Sequence, residues 1–238
     1  MLRRYKFLFF VLTGIMALIV VSPVLQKFLV YPQTEYFTEL WLLGPEHNAE
    51  DYPYNIRSNN DYNVFLGVVN HLSSDAQYVV QVKFRNQTQS APDSFNRTHS
   101  SLASLYSLDF SVAENETWEM PLDFSFDYSF SEVTYIVYRN VLVTTPDGNI
   151  TNYLIPESNV TLPRVNFHSL KLNDVNINLQ GFYSDFDNQT KVFFGNLVFE
   201  LWIYDTSTAN YVYHERYVDL KFNMTTPTTT PTPTPTES

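Results

Sequence analysis

The chain has 238 residues, of which 44 % are hydrophobic and 16 % aromatic, and its formal net charge is −11. So negative a surface repels nucleic acid and anionic head groups, and we expect no nucleic-acid partner. Cysteine is absent. Since small exported domains commonly depend on disulfides, the fold must be held by its core or by metal, glycan or neighbouring subunits.

The N-terminus combines three basic residues among the first six with an uncharged, largely apolar run over 7–25. Nineteen such residues are about enough to cross a bilayer as a helix. The positive-inside rule then places residues 1–6 in the cytoplasm and the C-terminal domain outside. We therefore predict a transmembrane signal anchor at 7–25 in a single-pass cell-membrane protein. The alternative is a signal peptide cleaved near Ser22, which would also export the domain.

Beyond the anchor the hydrophobic pattern has a period of two residues, which indicates strands. Residues 36–43 form the first predicted strand, which ends at Gly44-Pro45. Residues 63–69 and 76–84 are apolar segments of strand length around a turn-prone stretch, which predicts a hairpin or a cross-sheet pair. In the second segment one face is apolar and the other polar, as in a sheet that covers a core. The apolar positions are Tyr78, Val80, Val82 and Phe84, and the polar ones are Gln81, Lys83 and Arg85.

The polar stretch 86–101 has no periodicity, and we expect an exposed and mobile loop there. Strand patterning returns over 102–112 and 117–130. A hairpin is predicted at Pro146-Asp147-Gly148, because Asp-Gly lies there between β-rich runs. The other predicted strands are 133–145, 149–154, 170–182, 192–204 and 211–222.

About nine short strands with frequent turn signals predict an all-β fold, an antiparallel Ig-like β-sandwich over residues 33–224. No part of this span has helical spacing over three turns. Residues 225–238 are rich in Thr and Pro, which predicts an extended, disordered tail that could carry O-linked sugars.

Seven segments, in chain order, carry a family resemblance. They are YFTELWLLGP (36–45), AEDYPYN (49–55), FLGVVNH (65–71), YVVQVKFRN (78–86), ETWEMPL (116–122), LVFELWIY (197–204) and NMT (223–225). Together they resemble the archaeal family known as domain of unknown function 1616 (DUF1616). The span 126–167 matches less clearly, which suggests an insertion. The resemblance implies an archaeal envelope protein with a β-rich extracellular domain, and it supplies no catalytic residues.

Many members of that family carry several membrane helices before the domain, whereas a single one is predicted for this chain. A function that depends on those helices is therefore not carried over.

Asn-x-Ser/Thr sequons are about twice as frequent as composition alone predicts, and most fall in predicted turns. Glycosylation requires an exposed acceptor in an exported chain, which the predicted topology provides. The alternative is that a turn-rich, Thr-rich sequence generates sequons freely. The predicted glycosylation sites are Asn86, Asn96, Asn115, Asn149, Asn159, Asn188 and Asn223.

Two pairs of carboxylates, Asp185 with Asp187 and Asp123 with Asp127, invite a hydrolase or Ca²⁺-site interpretation. Their spacing has little specificity, and turn formation is the favoured interpretation for Asp185 and Asp187. The five histidines are scattered without ligand spacing, so we expect no zinc site.

Three tryptophans offer a possible sugar-stacking platform, although strands with alternating pattern favour core positions for them. They are Trp41, Trp118 and Trp202.

The sequence thus indicates no catalytic, cofactor or metal site. The first functional hypothesis is a non-enzymatic envelope protein whose extracellular domain is a structural or interaction module, with envelope proteins or glycans as partners. The alternative is an accessory glycan-binding factor in surface glycan assembly or export. An extracellular hydrolase is the remote alternative.

Overall fold

The computed structural model describes residues 5–6, 9–17, 36–93 and 95–225. The chain divides into two compact units, Met1–Phe37 and Thr38–Ser238. In the first unit, residues 5–6 and 9–17 are helical. Across the described residues, no helix combines the length and the apolar character that a membrane crossing needs. Much of the predicted anchor and the tail from residue 226 lie outside these residues, so both stay predictions.

The second unit is all-β, as the sequence predicts, and its described residues form eleven strands. These are β1 (Thr38–Leu43), β2 (Asn55–Ile56), β3 (Tyr62–Asn70), β4 (Ala76–Arg85), β5 (Tyr106–Val112), β6 (Thr117–Thr144), β7 (Ile150–Leu172), β8 (Val175–Asn178), β9 (Tyr183–Asp187), β10 (Val192–Asp205) and β11 (Asn210–Met224).

The strands belong to one continuous sheet in the order β1-β3-β6-β7-β9-β10-β11-β2. In addition, β4 pairs with β10 and β5, and β8 pairs with β7. Among the described strands, only β2 and β11 run parallel. The short strand β9 connects the two halves, because Ser184 pairs with Val165 of β7 and Phe186 pairs with Phe193 of β10. The result is a curled sheet that resembles half a barrel.

The core lies between the two halves of this sheet and is aromatic. The ring centroid of Phe84 on β4 lies 4.7 Å from that of Phe167 on β7 and 6.1 Å from that of Phe126 on β6. All three side chains are buried. Burying a phenylalanine contributes roughly 1.5 to 3 kcal/mol, so this cluster holds the halves together without disulfides. The predicted apolar face of β4 is confirmed, since Tyr78, Val80 and Val82 are also buried.

The structure decides between two alternatives for one connection and corrects two predictions for others. First, β3 and β4 form no hairpin, because β3 pairs with β1 and β6 while β4 pairs with β10 and β5; the two strands lie in different halves of the sheet. Second, β6 runs unbroken where two strands were expected. Third, 170–182 is not one strand, since β7 ends at Leu172 and Asn173 turns the chain with φ 49°.

Candidate interaction surface

The hairpin of β6 and β7 extends far beyond the core. Within the described residues, β6 pairs with β3 only as far as Phe124 but continues to pair with β7 as far as Thr144. Strand β7 pairs with β9 only over Arg164 to Asn166 in the described residues. Residues 133–162 therefore pair only with each other, and we refer to them as the arm. At about 3.3 Å per residue, its twelve-residue outgoing strand spans roughly 40 Å.

The arm exposes apolar side chains on both of its faces. Side chains alternate between the faces along a strand, and cross-strand partners share a face. One face carries Leu142 and Ile150, each 70 % exposed, and the other carries Tyr153 and Ile155, 50 % and 44 % exposed. An isolated two-stranded hairpin is marginally stable in water, and contiguous exposed apolar surface marks interaction sites. The arm is therefore the candidate functional surface.

An ion pair fixes the base of the arm. Arg164 donates from Nε to Asp185 Oδ1 at 2.6 Å and from Nη2 to Oδ2 at 3.1 Å, and the Tyr135 hydroxyl donates to the same Oδ2 at 2.8 Å. Burial raises the pKa of Asp185, but the hydrogen bonds from Arg164 and Tyr135 outweigh it, so that this pKa lies below its usual value. The guanidinium also lies 3.9 Å from the centre of the Tyr183 ring. The arm thus joins the domain through a charged contact.

This ion pair corrects one prediction about the carboxylates. Asp185 lies in strand β9, where Arg164 balances its charge, and not in a turn. Asp187 does start a turn, because its carboxylate accepts hydrogen bonds from the Gln189 amide at 2.8 Å and the Thr190 hydroxyl at 2.6 Å.

An apolar groove lies where the arm leaves the domain. The ring of Phe193 lies 5.1 Å from those of Phe130 and Phe186, and Pro163 closes the groove on the β7 side. Among its described lining residues only Glu132, the cross-strand partner of Pro163, is charged. The groove is continuous with the arm and extends its apolar surface.

The loop after β4 covers a buried ion pair on the opposite side of that strand from the core. Lys83 Nζ lies 2.7 Å from Glu200 Oε2, and the side chains are 3 % and 0 % exposed. The Ser100 amide and hydroxyl donate to Glu200 Oε1 at 2.8 Å and 2.6 Å. The expectation that 86–101 is exposed throughout is therefore wrong, because Ser100 and Asn86 are buried.

A cluster of aromatic rings lies beside this ion pair, with the Trp202 ring centroid 6.0 Å from Lys83 Nζ. Burial raises the pKa of Tyr213 to about 12, and the charge of Glu200 acts in the same direction. The Trp202 ring centroid lies 5.7 Å from that of Tyr213 and 5.1 Å from that of His99. Ser100 is 4 % exposed, so its hydroxyl is not accessible to a substrate. The cluster fastens a loop to the sheet.

The second pair of carboxylates, Asp123 and Asp127, faces away from the core on β6. Asp123 accepts a hydrogen bond from Asn63 Nδ2 at 2.6 Å, and the Asp127 carboxylate lies 3.4 Å from Ser58 Oγ. Open polar grooves beside them are lined also by Lys171. In the part of the chain that the structure describes, no three His, Asp or Glu side chains are grouped so that they could hold a metal ion.

The sequons differ in their accessibility. Asn86 is buried, with 8 % exposure, and its Nδ2 donates to the Tyr183 carbonyl at 3.0 Å. Asn223 is half-buried, and its Oδ1 accepts the Phe193 amide at 2.9 Å. The exposed acceptors are Asn96, Asn115, Asn149, Asn159 and Asn188.

The three tryptophans lie in different environments. Trp41 covers Gly67 on the neighbouring strand, Trp118 stacks on Phe110 at 3.7 Å, and Trp202 lies beside the buried ion pair. No ring contact joins any two of them in the described residues. The platform of three rings considered from the sequence is not assembled.

The chain is thus an all-β protein with a projecting two-stranded arm. Domain of unknown function (DUF1616) matches residues 32–154, and the chain belongs to this family. The match begins shortly before β1 and ends in the returning strand of the arm. The resemblance noted in the sequence is confirmed, although the segments at 197–204 and 223–225 lie beyond the matched range.

Two further comparisons supply no function. No curated protein sequence matches this chain. Among solved structures, one similar chain is a beta-glucosidase from Listeria innocua in complex with glucose, with a TM-score of 0.27 and 11 % sequence identity. The similarity covers 65 % of this chain and 16 % of that one. So distant a similarity carries no argument about fold or activity.

Proposed function

We propose that this chain is a non-enzymatic, single-pass envelope protein whose extracellular domain binds a protein partner through the arm. The observation that carries the proposal is the exposure of ten large apolar side chains on a hairpin whose strands, in the described residues, pair only with each other. A partner that covers apolar side chains of such a hairpin stabilises it, since burial of apolar surface contributes about 25 cal/mol per Å².

The domain that presents the arm is proposed to be an Ig-like sandwich whose two halves are joined through β9. The packing of Phe84 on one half against Phe126 and Phe167 on the other supports this interpretation. Sandwiches of this kind bury both inner faces and leave their edges and hairpins for recognition.

The surface location rests on the sequence of the first 25 residues. Basic residues followed by a long uncharged run favour insertion with the C-terminal domain outside. Five exposed sequons on that domain support a glycosylated surface. The glycans would leave the arm's apolar side chains accessible only in part, since Asn149 and Asn159 lie at its turn and on its returning strand.

Site-specific photocrosslinking in intact cells tests the interaction. A photoreactive phenylalanine analogue in place of Tyr138, which is 51 % exposed on the arm, should crosslink the chain to a protein. The same analogue in place of Tyr211, which is 37 % exposed on β11, is the control and should give little product. If neither position yields a crosslinked protein, the arm is not an interaction surface in the cell.

A further inference from the structure

We propose that the partner of the arm is a second copy of this chain, and that the two copies pair antiparallel through the outer edges of their β6 strands. The inference rests on the proposed function of the arm as a protein-binding surface, and it names the partner and the strand edges that meet.

The two edges of the arm differ in their ability to accept a strand. The β7 edge contains Pro156, and Pro163 follows directly at its base; proline has no amide hydrogen to donate to a neighbouring strand. The β6 edge over 133–144 contains no proline or glycine and consists mainly of β-branched and aromatic residues, which favour strands. In the described part of the chain, no strand but β7 pairs with β6 beyond Phe124. A long, unpaired edge of this composition is a site for strand addition.

The β6 edge is compatible with its own copy. A two-fold axis brings the same surface of two copies together in opposite directions, as antiparallel strands require. With the axis at Tyr138, Val133 faces Val143 of the second copy. Arg139, the one charged residue of 133–144, then faces Val137 of the second copy and not another arginine. Opposed like charges are thereby avoided.

The distribution of charge favours contact through the arm. Residues 133–162 contain one basic and two acidic residues, which leaves nine basic and 23 acidic residues for the rest of the chain after residue 27. Two such acidic bodies repel each other at close range. An arm of about 40 Å keeps them several Debye lengths apart, since that length is about 8 Å at physiological salt. Pairing through the arm therefore joins the nearly neutral parts of two acidic molecules.

The absence of cysteine makes a direct test available. In the full-length chain in native membranes, a single Tyr138→Cys substitution should give a disulfide-linked dimer under mild oxidation, because the two-fold brings equivalent residues together. Tyr153→Cys is the matched control, since Tyr138 and Tyr153 are 51 % and 50 % exposed but lie on different strands of the arm. In a scan of single cysteines over 133–143, the yield of disulfide-linked dimer should be highest at the residue on the two-fold axis.

Charge substitutions test the register. In the Tyr138→Cys background, Val137→Lys opposes Arg139 of the second copy and should lower the dimer yield by about tenfold, whereas Val137→Glu should raise it. Val160→Lys is the control, because Val160 lies on β7 opposite Tyr135 with 38 % exposure, against 40 % for Val137, and it should change the yield little.

The outcomes distinguish a failure of the proposed partner from a failure of the proposed function. Dimers at β6 positions and not at Tyr153 support the proposal, whereas equal yields at both sites, or no dimer at any β6 position, overturn it. If the analogue at Tyr138 crosslinks to a different protein while the β6 scan gives no dimer, the second copy is the wrong partner and the arm still binds protein. If no protein is crosslinked and no dimer forms, both proposals fail.

Discussion

Lys83 and Glu200, which are 117 residues apart in the sequence, form a buried ion pair with an Nζ to Oε2 distance of 2.7 Å. Two hydrogen bonds from Ser100 complete the environment of the Glu200 carboxylate. Buried pairs of this kind stabilise little when compared with apolar residues, but removing one partner leaves an uncompensated charge.

The substitution Lys83→Met should therefore destabilise the domain by about 3 to 5 kcal/mol. The control is the double variant Lys83→Met with Glu200→Leu, which removes both charges and should recover most of the loss. Urea unfolding of the two variants and the parent measures the difference. A loss below about 1 kcal/mol for the single variant would show that the Glu200 carboxylate is satisfied without Lys83.

His214 should make stability depend on pH. Its Nε2 lies 2.8 Å from Thr38 Oγ1. Burial lowers the pKa of His214 below 6.5, Arg216 adds to this effect and Glu215 opposes it. Below about pH 6.5 the unfolded chain therefore binds a proton that the folded chain does not. The free energy of unfolding consequently decreases as the pH is lowered through this range.

Urea midpoints between pH 7.5 and 5 measure this dependence. His214→Gln should reduce the slope, while His168→Gln, a change at an exposed histidine that bonds Ser129, should leave the contribution of His214 in place. A slope unchanged by His214→Gln would assign the effect to other groups.

Gly67→Ala should disturb the packing of Trp41. The indole ring of Trp41 covers Gly67 on the neighbouring strand, and a Cβ at this position would overlap the ring. We expect a loss of about 1 to 3 kcal/mol, as for other overpacked sites, and a shift in tryptophan fluorescence. Adding Trp41→Leu should relieve the overlap. Equal stability of Gly67→Ala and the parent would mean that the ring moves without cost.

Glycans should be found on the five exposed sequons and not on Asn86. Mass spectrometry of protein from its native host identifies the modified sites. Asn86→Gln should cost about 1 to 3 kcal/mol, because the buried amide hydrogen-bonds the Tyr183 carbonyl. Asn188→Gln, at an exposed site, should change stability by less than about 0.5 kcal/mol. Modification of Asn86, or unmodified exposed asparagines throughout, would contradict this prediction.

The predicted anchor should keep the chain in the membrane fraction. Protein from native membranes should retain Met1 and resist alkaline carbonate extraction. Lysine at both Ile15 and Ala17 should release or mislocalise it, since each charge costs about 2.5 to 3.5 kcal/mol at the centre of an inserted helix. An N-terminus near Ser22 would instead identify a cleaved signal.

The strands were the most predictable part of the fold. Apolar segments of strand length placed β3 and β4 within one residue of their observed limits, and Asp147-Gly148 marked the turn of the arm, where Gly148 has φ 83°. These signals are local, because the period of a strand and the backbone freedom of glycine act within a few residues.

The pairing of distant residues could not be predicted in this way. Lys83 was placed correctly opposite the apolar face of β4, but nothing in its surroundings indicated that Ser100 would cover it. The arm could not be recognised from the sequence for a related reason. Its alternating residues resemble those of a strand that covers a core, and only the absence of a facing layer shows that they are exposed.

Pro156 and Pro163 have a consequence for the size of any assembly built on the arm. When two β6 edges join, the resulting four-stranded ribbon ends on both sides in a β7 strand. Each of those outer strands lacks the amide donor of Pro156 within the arm and that of Pro163 at its base, so a third molecule finds no continuous row of hydrogen-bond partners. The association is therefore self-limiting, which allows an aggregation-prone strand to be displayed without fibre growth.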